Sequence, residues 1–204
     1  YRPAYNVQLS TACDGQVIVG VEVVTEGTDQ GQLPPMLDQI EGRFEERPTE
    51  ALVDGGFAGH DDIERAQKGE EGCKVYAPVP EPKDAQRDRH QPLPADGPQV
   101  AEWRSRMGTE AAKEVYRQRA STIECVNAQA RNRGLVHLLV RGLRKVQAVA
   151  LWFAIAHNVA CARSESGLSP YARNGGGSGA TGLYQFMPST WSRTLARMGV
   201  GAKS

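Results

Sequence analysis

The chain has 204 residues, and 40% of them are apolar, so it can build at least one ordinary hydrophobic core. Its 24 Lys and Arg balance its 24 Asp and Glu, so the net charge alone indicates no partner. Its four cysteines include no Cys-x-x-Cys pair and no histidine at metal-ligand spacing. This pattern excludes the common zinc motifs and is typical of free thiols in a reducing cytoplasm.

Charge is distributed unevenly along the chain. Residues 101–150 carry ten Lys or Arg but only four Glu. This bias predicts a local anion-binding face, with a solvated helix surface as the alternative.

No stretch approaches the roughly 20 apolar residues of a membrane span, and no signal peptide is recognisable. Because the chain begins at Tyr1 without an initiator Met, we expect a preceding segment.

The predicted elements begin with a β-hairpin, because two strand-like runs in residues 5–24 flank Asp14-Gly15. Residues 29–44 have helical spacing and predict one apolar face. Its members are Leu33, Met36, Leu37, Ile40 and Phe44. Residues 51–53 predict a short buried strand that ends at Asp54 and two glycines.

The second half of the pattern is mostly helical. Residues 60–69 predict a short helix with His60 or Asp61 as N-cap, and residues 73–79 predict a strand. Six prolines in residues 78–98 indicate a loop. Helical patterns then run from 99 to 162 with a break near 132–134, before a Gly-rich tail with a last short helix at 188–198. Strands that alternate with helices predict an α/β layer.

Two carboxylates stand out as candidates for chemistry. Asp54 follows a strand, where open α/β sheets place ligands. Glu124 lies seven residues from both Arg117 and Arg131, so all three share a face if the helix keeps its 3.6-residue period. Carboxylate oxygens suit Mg²⁺, and arginines suit DNA phosphates. A capping Asp and a surface ion network explain the same residues, and the spacing leaves both interpretations open.

Several separated blocks resemble the C-terminal catalytic part of bacterial insertion-sequence DDE transposases, which have a ribonuclease H-like fold. The resemblance covers residues 2–158. The blocks are RPAYNVQLSTACDGQVIVGVEVVTEGTDQGQLPPMLDQI, ALVDGGFAGHDDIERA, VYAPVP, WRSRMGTEAAKEVYRQRASTIECVNAQARNRGL and LLVRGLRKVQAVALWFAIAHN. The resemblance implies a partial ribonuclease H-like layer, a hairpin plus further strands with helices, followed by long helices.

The same resemblance implies Mg²⁺-dependent cleavage and transfer of DNA strands at transposon ends. Asp54 matches the second catalytic Asp of the family and Glu124 its catalytic Glu, both as ligands of a two-metal site. Tyr116, Arg119 and Arg131 match the positions around that Glu that contact DNA. Arg117 joins this predicted DNA-binding set through its seven-residue spacing from Glu124.

One departure from the family pattern concerns the first catalytic Asp, which belongs on a strand upstream of the hairpin. Neither Asp14 nor Asp29 matches that position. With two of three metal-binding carboxylates, we expect impaired strand cleavage and leave open whether the chain is an active enzyme. A non-catalytic DNA-binding remnant that uses the basic helices alone is an alternative.

The tail sequence SESGLSPYARNGGGSGATGLYQFMPSTW resembles the catalytic segment of soluble lytic transglycosylases, which cleave peptidoglycan. The resemblance covers residues 162–198. It assigns Glu165 as the catalytic acid/base and places Gln185 and Met187 in the substrate cleft. The remaining helices of that fold do not follow in this sequence, so we expect an inert tail, with transglycosylase activity as the alternative function.

These resemblances predict two domains. Residues 1–160 form a truncated DDE transposase catalytic domain, and residues 161–204 form the transglycosylase-like fragment. The join falls near 160–164, where one helix could continue from one part into the other. An insertion element read in frame into a transglycosylase gene would produce this order. We expect DNA as the partner and a cytoplasmic location, with peptidoglycan as a possible second partner of the tail, no membrane span, and an undetermined oligomeric state.

Overall fold

The computed structural model describes residues 5–13, 16–84, 86–173 and 180–185. The chain is mixed α/β and divides into two compact units. Unit 1 comprises Tyr1–Thr25 and Thr122–Ser204, and unit 2 comprises Glu26–Ser121. Strands of the described part form two separate two-stranded sheets. The α/β class is therefore confirmed, whereas the ribonuclease H-like layer is not.

Unit 1 begins with the predicted hairpin. Strands β1 (Asn6–Thr11) and β2 (Ile18–Val24) are antiparallel, with Asn6 opposite Val24 and a bulge between Ser10 and Thr11. Inward-facing valines of β2 are buried, as a strand with one face on a core requires. The predicted turn residues 14–15 lie outside the described residues.

Two helices complete the described core of unit 1. They are α5 (Cys125–Asn132) and α6 (Leu143–Ser166), and the connection between them is longer than the break predicted near 132–134. Helix α6 packs on β2. The buried apolar residues are Ile18, Val21, Val23, Val126, Val146, Ala150 and Ala154.

Polar side chains of α6 hold the hairpin in place. Asn158 donates to the Ile18 carbonyl at 2.9 Å and accepts from the Ile18 N–H at 2.8 Å. The buried His157 contacts the Gln16 carbonyl through Nε2 at 3.0 Å. By length and composition α6 could also cross a membrane. This is weak evidence for a membrane span, because length and composition are its only basis.

Unit 2 is built on a parallel strand pair. Strands β3 (Glu50–Leu52) and β4 (Lys74–Tyr76) align Ala51 with Val75. The connection contains a 3₁₀ turn (Gly55–Phe57) and helix α2 (His60–Ala66). β3 is only partly buried, and the N-cap of α2 is Gly59 rather than the predicted His60 or Asp61.

Helices α1 (Leu33–Phe44), α3 (Pro98–Met107) and α4 (Glu110–Arg119) pack around this pair. Helix α1 confirms its predicted apolar face except at Phe44, which is exposed at the last turn. Gly108 separates α3 from α4, and Thr109 caps α4 by accepting from the Ala112 N–H at 3.2 Å. The predicted loop before Pro98 is confirmed.

A buried ion pair fixes that loop to α3. Arg104 Nε lies 2.8 Å from Asp96 Oδ2, and Arg104 Nη2 lies 3.2 Å from Oδ1. Burial alone would raise the pKa of Asp96, but hydrogen bonds from Arg104 and the Leu93 N–H outweigh it. The pKa of Asp96 is therefore lowered, and the carboxylate stays ionised beside its arginine.

Candidate nucleic-acid interface and strand-end carboxylates

Asp54 lies just past the carboxyl end of β3. The Val53 N–H still bonds to the Tyr76 carbonyl at 2.9 Å, after which the chain leaves the sheet. Asp54 then takes an extended conformation, and its Oδ1 accepts from the Gly56 N–H at 2.9 Å. Local chain chemistry thus explains the position, because Asp caps a turn readily and glycine permits the close approach. Its side chain is about half exposed.

Arg119 shares this edge of unit 2 with Asp54. It is the last residue of α4, and its Nη2 lies 3.5 Å from Asp54 Oδ2. The structure therefore brings together two residues that the transposase resemblance singles out separately. In this arrangement the guanidinium faces the carboxylate oxygen that does not cap the turn, so the pair neutralises itself.

Asp29 is a neighbour that the sequence pattern did not assign to the site. A Cβ added at Gly56 would lie 3.0 Å from Asp29 Oδ2 and 3.1 Å from Asp54 Oδ1. Both carboxylates thus approach the same glycine. Asp29 lies in a local turn in which the Gln30 N–H donates to Thr28 Oγ1 at 3.2 Å, and the sequence around Thr28 favours such a turn. Only tertiary packing places that turn over the glycine.

Divalent-metal dependence is general among DDE domains, but the described residues show no metal site. Within the described residues, no group of three or more His, Cys, Asp or Glu side chains could hold one. The Asp54 carboxylate already accepts from a backbone N–H and faces the guanidinium of Arg119. A Mg²⁺ ion bound by Asp54 would therefore compete with Arg119 for the same carboxylate.

Glu124 lies in unit 1, on a backbone segment that differs from the predicted one. Residues Ala120–Glu124 form a π-helix, in which hydrogen bonds span five residues instead of four. The seven-residue spacing of Arg117 and Glu124 assumed a regular 3.6-residue period, which this segment interrupts. Glu124 is exposed, and so is Arg131, which lies two turns further along α5. Short π-helical segments are frequent at functional sites.

The ten basic residues of 101–150 separate into two groups of five. All five in unit 2 are paired with acids. These pairs are Arg104–Asp96, Arg106–Glu102, Lys113–Glu110, Arg117–Glu114 and Arg119–Asp54. Sequence reasoning counted them as one basic face, but packing and helical i,i+3 or i,i+4 spacing neutralise this half of it.

The other five of these ten basic residues lie in unit 1 and are exposed, and none of them forms an ion pair with another described residue. They are Arg131, Arg133, Arg141, Arg144 and Lys145. No Asp or Glu occurs from residue 125 to 164. Uncompensated positive charge is therefore concentrated at the end of α5, the following loop and the start of α6.

The side chain of Tyr116 contributes to the packing of unit 2. It is half-buried and packs against the apolar core of unit 2. Only part of the side chain is accessible, and its contact with DNA stays a prediction. Arg117 is about two thirds exposed beside Glu114.

The described tail residues lie at the end of α6 and in the loop that follows it. Glu165 is exposed on the last turn of α6, which ends where Gly167 adopts a left-handed conformation and donates to the Ala162 and Arg163 carbonyls. Gln185 donates to the carbonyls of Ala172 at 3.1 Å and Gly182 at 2.9 Å, so it closes its own loop. Met187 lies outside the described residues, as does the predicted helix at 188–198.

Comparisons with known families bear on both parts of the chain. A family model described as the transposase DDE domain matches residues 80–161, and one described as the transglycosylase SLT domain matches residues 154–204. Both resemblances are thereby confirmed. Comparison with curated proteins and with solved structures finds no match.

The two matches overlap within α6, at residues 154–161. Since α6 is one continuous helix from Leu143 to Ser166, the change of resemblance happens without a break in the backbone structure. Glu124 lies inside the transposase match, whereas Asp54 lies outside it. The division at residue 160 and the catalytic roles of both residues stay predictions.

Proposed function

We propose that the chain is a transposase-derived protein that binds DNA through the basic surface of unit 1. One observation carries this proposal: five exposed cations from Arg131 to Lys145 lie in a stretch that contains no acid. Phosphate groups of a duplex are spaced closely enough for several such cations to be neutralised together, which releases counterions. The transposase match over residues 80–161 includes all five of these residues.

Strand cleavage by this 204-residue chain is, in our proposal, impaired. Of the three carboxylates that the resemblance implies, the sequence supplies counterparts of two, Asp54 and Glu124. Asp54 is engaged by Arg119 in a pair that a metal ion would have to displace. The proposed Mg²⁺ site is therefore lost or incomplete. A protein that binds DNA in this way would act in the cytoplasm, which is the location we propose.

The binding proposal is tested by fluorescence anisotropy with a labelled duplex over a series of NaCl concentrations. Five neutralised phosphates predict a slope of log K against log salt of about −4.5. The double variant Arg131→Gln/Arg133→Gln should reduce that slope by about 0.9 for each cation removed. A salt-independent affinity, or a double variant that binds like wild type, would contradict the proposal.

The matched control removes two cations that are already paired. In Arg89→Gln/Lys113→Gln the charge change is the same, but Arg89 pairs with Glu81 and Lys113 pairs with Glu110. We expect this control to change the slope by less than half as much. Equal effects of the two double variants would assign DNA binding to net charge rather than to the surface of unit 1.

Cleavage is tested separately with a supercoiled plasmid in Mg²⁺ and in Mn²⁺. We expect no conversion to the nicked form. Nicking by wild type that disappears in Asp54→Asn and in Glu124→Gln would show an active DDE centre and overturn the proposed impairment.

A transglycosylase function is the second candidate, because the SLT match covers residues 154–204. An acid catalyst of this type needs an apolar cleft that keeps it protonated, and Glu165 is exposed in the described part of the chain. We therefore expect no clearing of a peptidoglycan suspension. Clearing that Glu165→Gln abolishes would favour this second function over the first.

A further inference from the structure

The face of α6 that points away from the core of unit 1 is apolar. Residues Val146, Ala150 and Ala154 are buried on one side of the helix. On the opposite side the exposed fraction is 71% for Trp152 and 54% for Ile155. Leu151 and Val159 lie beside them with 37% and 50% exposed, so a large apolar surface is accessible in the described part of the chain.

The spacing of this face follows a coiled-coil pattern. Ala148, Trp152, Ile155 and Val159 are separated by four, three and four residues, which is the alternation of core positions in a heptad. No Asp, Glu, Lys or Arg interrupts the helix between Lys145 and Arg163. We call these four residues the α6 seam. It extends for about 17 Å at 1.5 Å per residue, long enough for a short pair of helices.

Charged residues at the two ends of the seam indicate which partner helix, and in which direction, can pack against it. Arg144 and Glu165 are both exposed and lie 21 residues apart, which is three heptads, so they flank the seam on the same side. If a second α6 packs antiparallel, Arg144 of each copy faces Glu165 of the other. The arrangement is its own complement under a twofold axis, and it forms the same ion pair twice. Lys145 and Arg163 are exposed at the same two ends, so the antiparallel pair also brings Lys145 of one copy near Arg163 of the other. Parallel packing is less favourable, because it would bring the adjacent cations Arg144 and Lys145 of both copies together at one end.

We propose that the α6 seam is a self-association surface, and that two copies of this chain pair through antiparallel α6 helices. The accessible area sets the strength of the pairing. The large side chains expose roughly 400 Å² per copy, about half of the ~800 Å² per partner that a standard interface buries. The dimer is consequently weak and reversible, with a dissociation constant on the order of tens to hundreds of micromolar.

Sedimentation velocity of the full chain from about 2 to 300 μM, in about 0.15 M salt, tests this proposal. Wild type should change from monomer to dimer across that range. Trp152→Glu should remain monomeric at every concentration with an unchanged circular dichroism spectrum, because the side chain is exposed in the monomer. Leu139→Glu is the matched control: Leu139 is a fully exposed leucine in the loop before α6, and its replacement should leave dimerisation unchanged.

Charge reversal tests the antiparallel arrangement. Arg144→Glu and Glu165→Arg should each weaken the dimer about tenfold, and the double reversal should restore it to within about threefold of wild type. A wild-type chain that stays monomeric at about 300 μM overturns the proposal. A double reversal that fails to restore the dimer also overturns it. A monomeric wild-type chain that sediments with phosphatidylcholine vesicles, and loses this binding in Trp152→Glu, would instead show that the seam binds a lipid surface.

Discussion

Replacing Arg104 with methionine should destabilise unit 2 by about 3–5 kcal/mol, the usual cost of removing one partner from a buried ion pair. The side chains of Arg104 and Asp96 are 8% and 2% exposed. The variant loses two charge-assisted hydrogen bonds to Asp96, at 2.8 and 3.2 Å, and a third bond from Nη1 to the Arg89 carbonyl at 3.3 Å. Each bond to a charged group is worth roughly 1.5–3 kcal/mol, which supports the same total.

The assay is urea denaturation followed by circular dichroism, with Arg117→Met as the matched control. Arg117 also pairs with a carboxylate, but both side chains of that pair are about two thirds exposed. Its loss should cost no more than about 1 kcal/mol. If Arg104→Met and Arg117→Met differ by less than about 1 kcal/mol, the argument from burial is wrong.

Acid provides an independent check on the same pair. The pKa of Asp96 is lowered in the folded chain, so its contribution to stability is complete above its unfolded value of about 3.9 and is lost as pH falls through the lower folded value. In Arg104→Met the buried carboxylate has lost its arginine, and protonation relieves the cost. Burial without Arg104 raises the pKa of Asp96 in the variant, so the difference in stability between wild type and variant should begin to shrink above the unfolded value of about 3.9. A constant difference down to about pH 2 would refute this reasoning.

Three further predictions concern single residues. Gly72→Ala should destabilise unit 2 by roughly 1–3 kcal/mol in urea, because the new Cβ would lie 2.4 Å from the backbone oxygen of Gln67; wild-type stability would show that the turn relaxes. Burial raises the pKa of Cys73 to about 12, so Ellman's reagent at about pH 8 should label the exposed Cys13 rapidly and Cys73 only on unfolding; rapid native labelling of Cys73 would contradict its burial. Asn158→Ala should lower the free energy of unfolding by about 2 kcal/mol, because the N–H and the carbonyl of Ile18 would lose their side-chain partner. An unchanged free energy of unfolding in urea would mean that water replaces the side chain.

Local chemistry made much of the fold predictable from the sequence. The hairpin follows from two β-prone runs around a turn dipeptide, and α1 follows from apolar residues at helical spacing. The position of Asp54 at a strand end follows from the Asp-Gly-Gly sequence after a short apolar run. Errors occurred where local preferences compete, as at the N-cap of α2, where Gly59 takes the position expected for a more polar residue.

The candidate site shows the limit of such reasoning. Sequence spacing placed Arg117 and Glu124 on one face, but spacing cannot reveal that residues 120–124 adopt a π-helix. Nor could the sequence show that Asp29 and Asp54 approach the same glycine, because they are distant in the chain and only the folding of unit 2 brings them together. The ion pair between Asp54 and Arg119 has the same origin, since it depends on how α4 packs beside the end of β3.

The basic region gives the clearest contrast between sequence and structure. Composition alone determined that residues 101–150 carry an excess of Lys and Arg, and that no acid follows Glu124 until Glu165. Tertiary structure alone decided which of those charges remain available. Arg104 is neutralised by a carboxylate from a preceding loop, whereas the cations of unit 1 are left exposed, because pairing depends on distances that only packing sets.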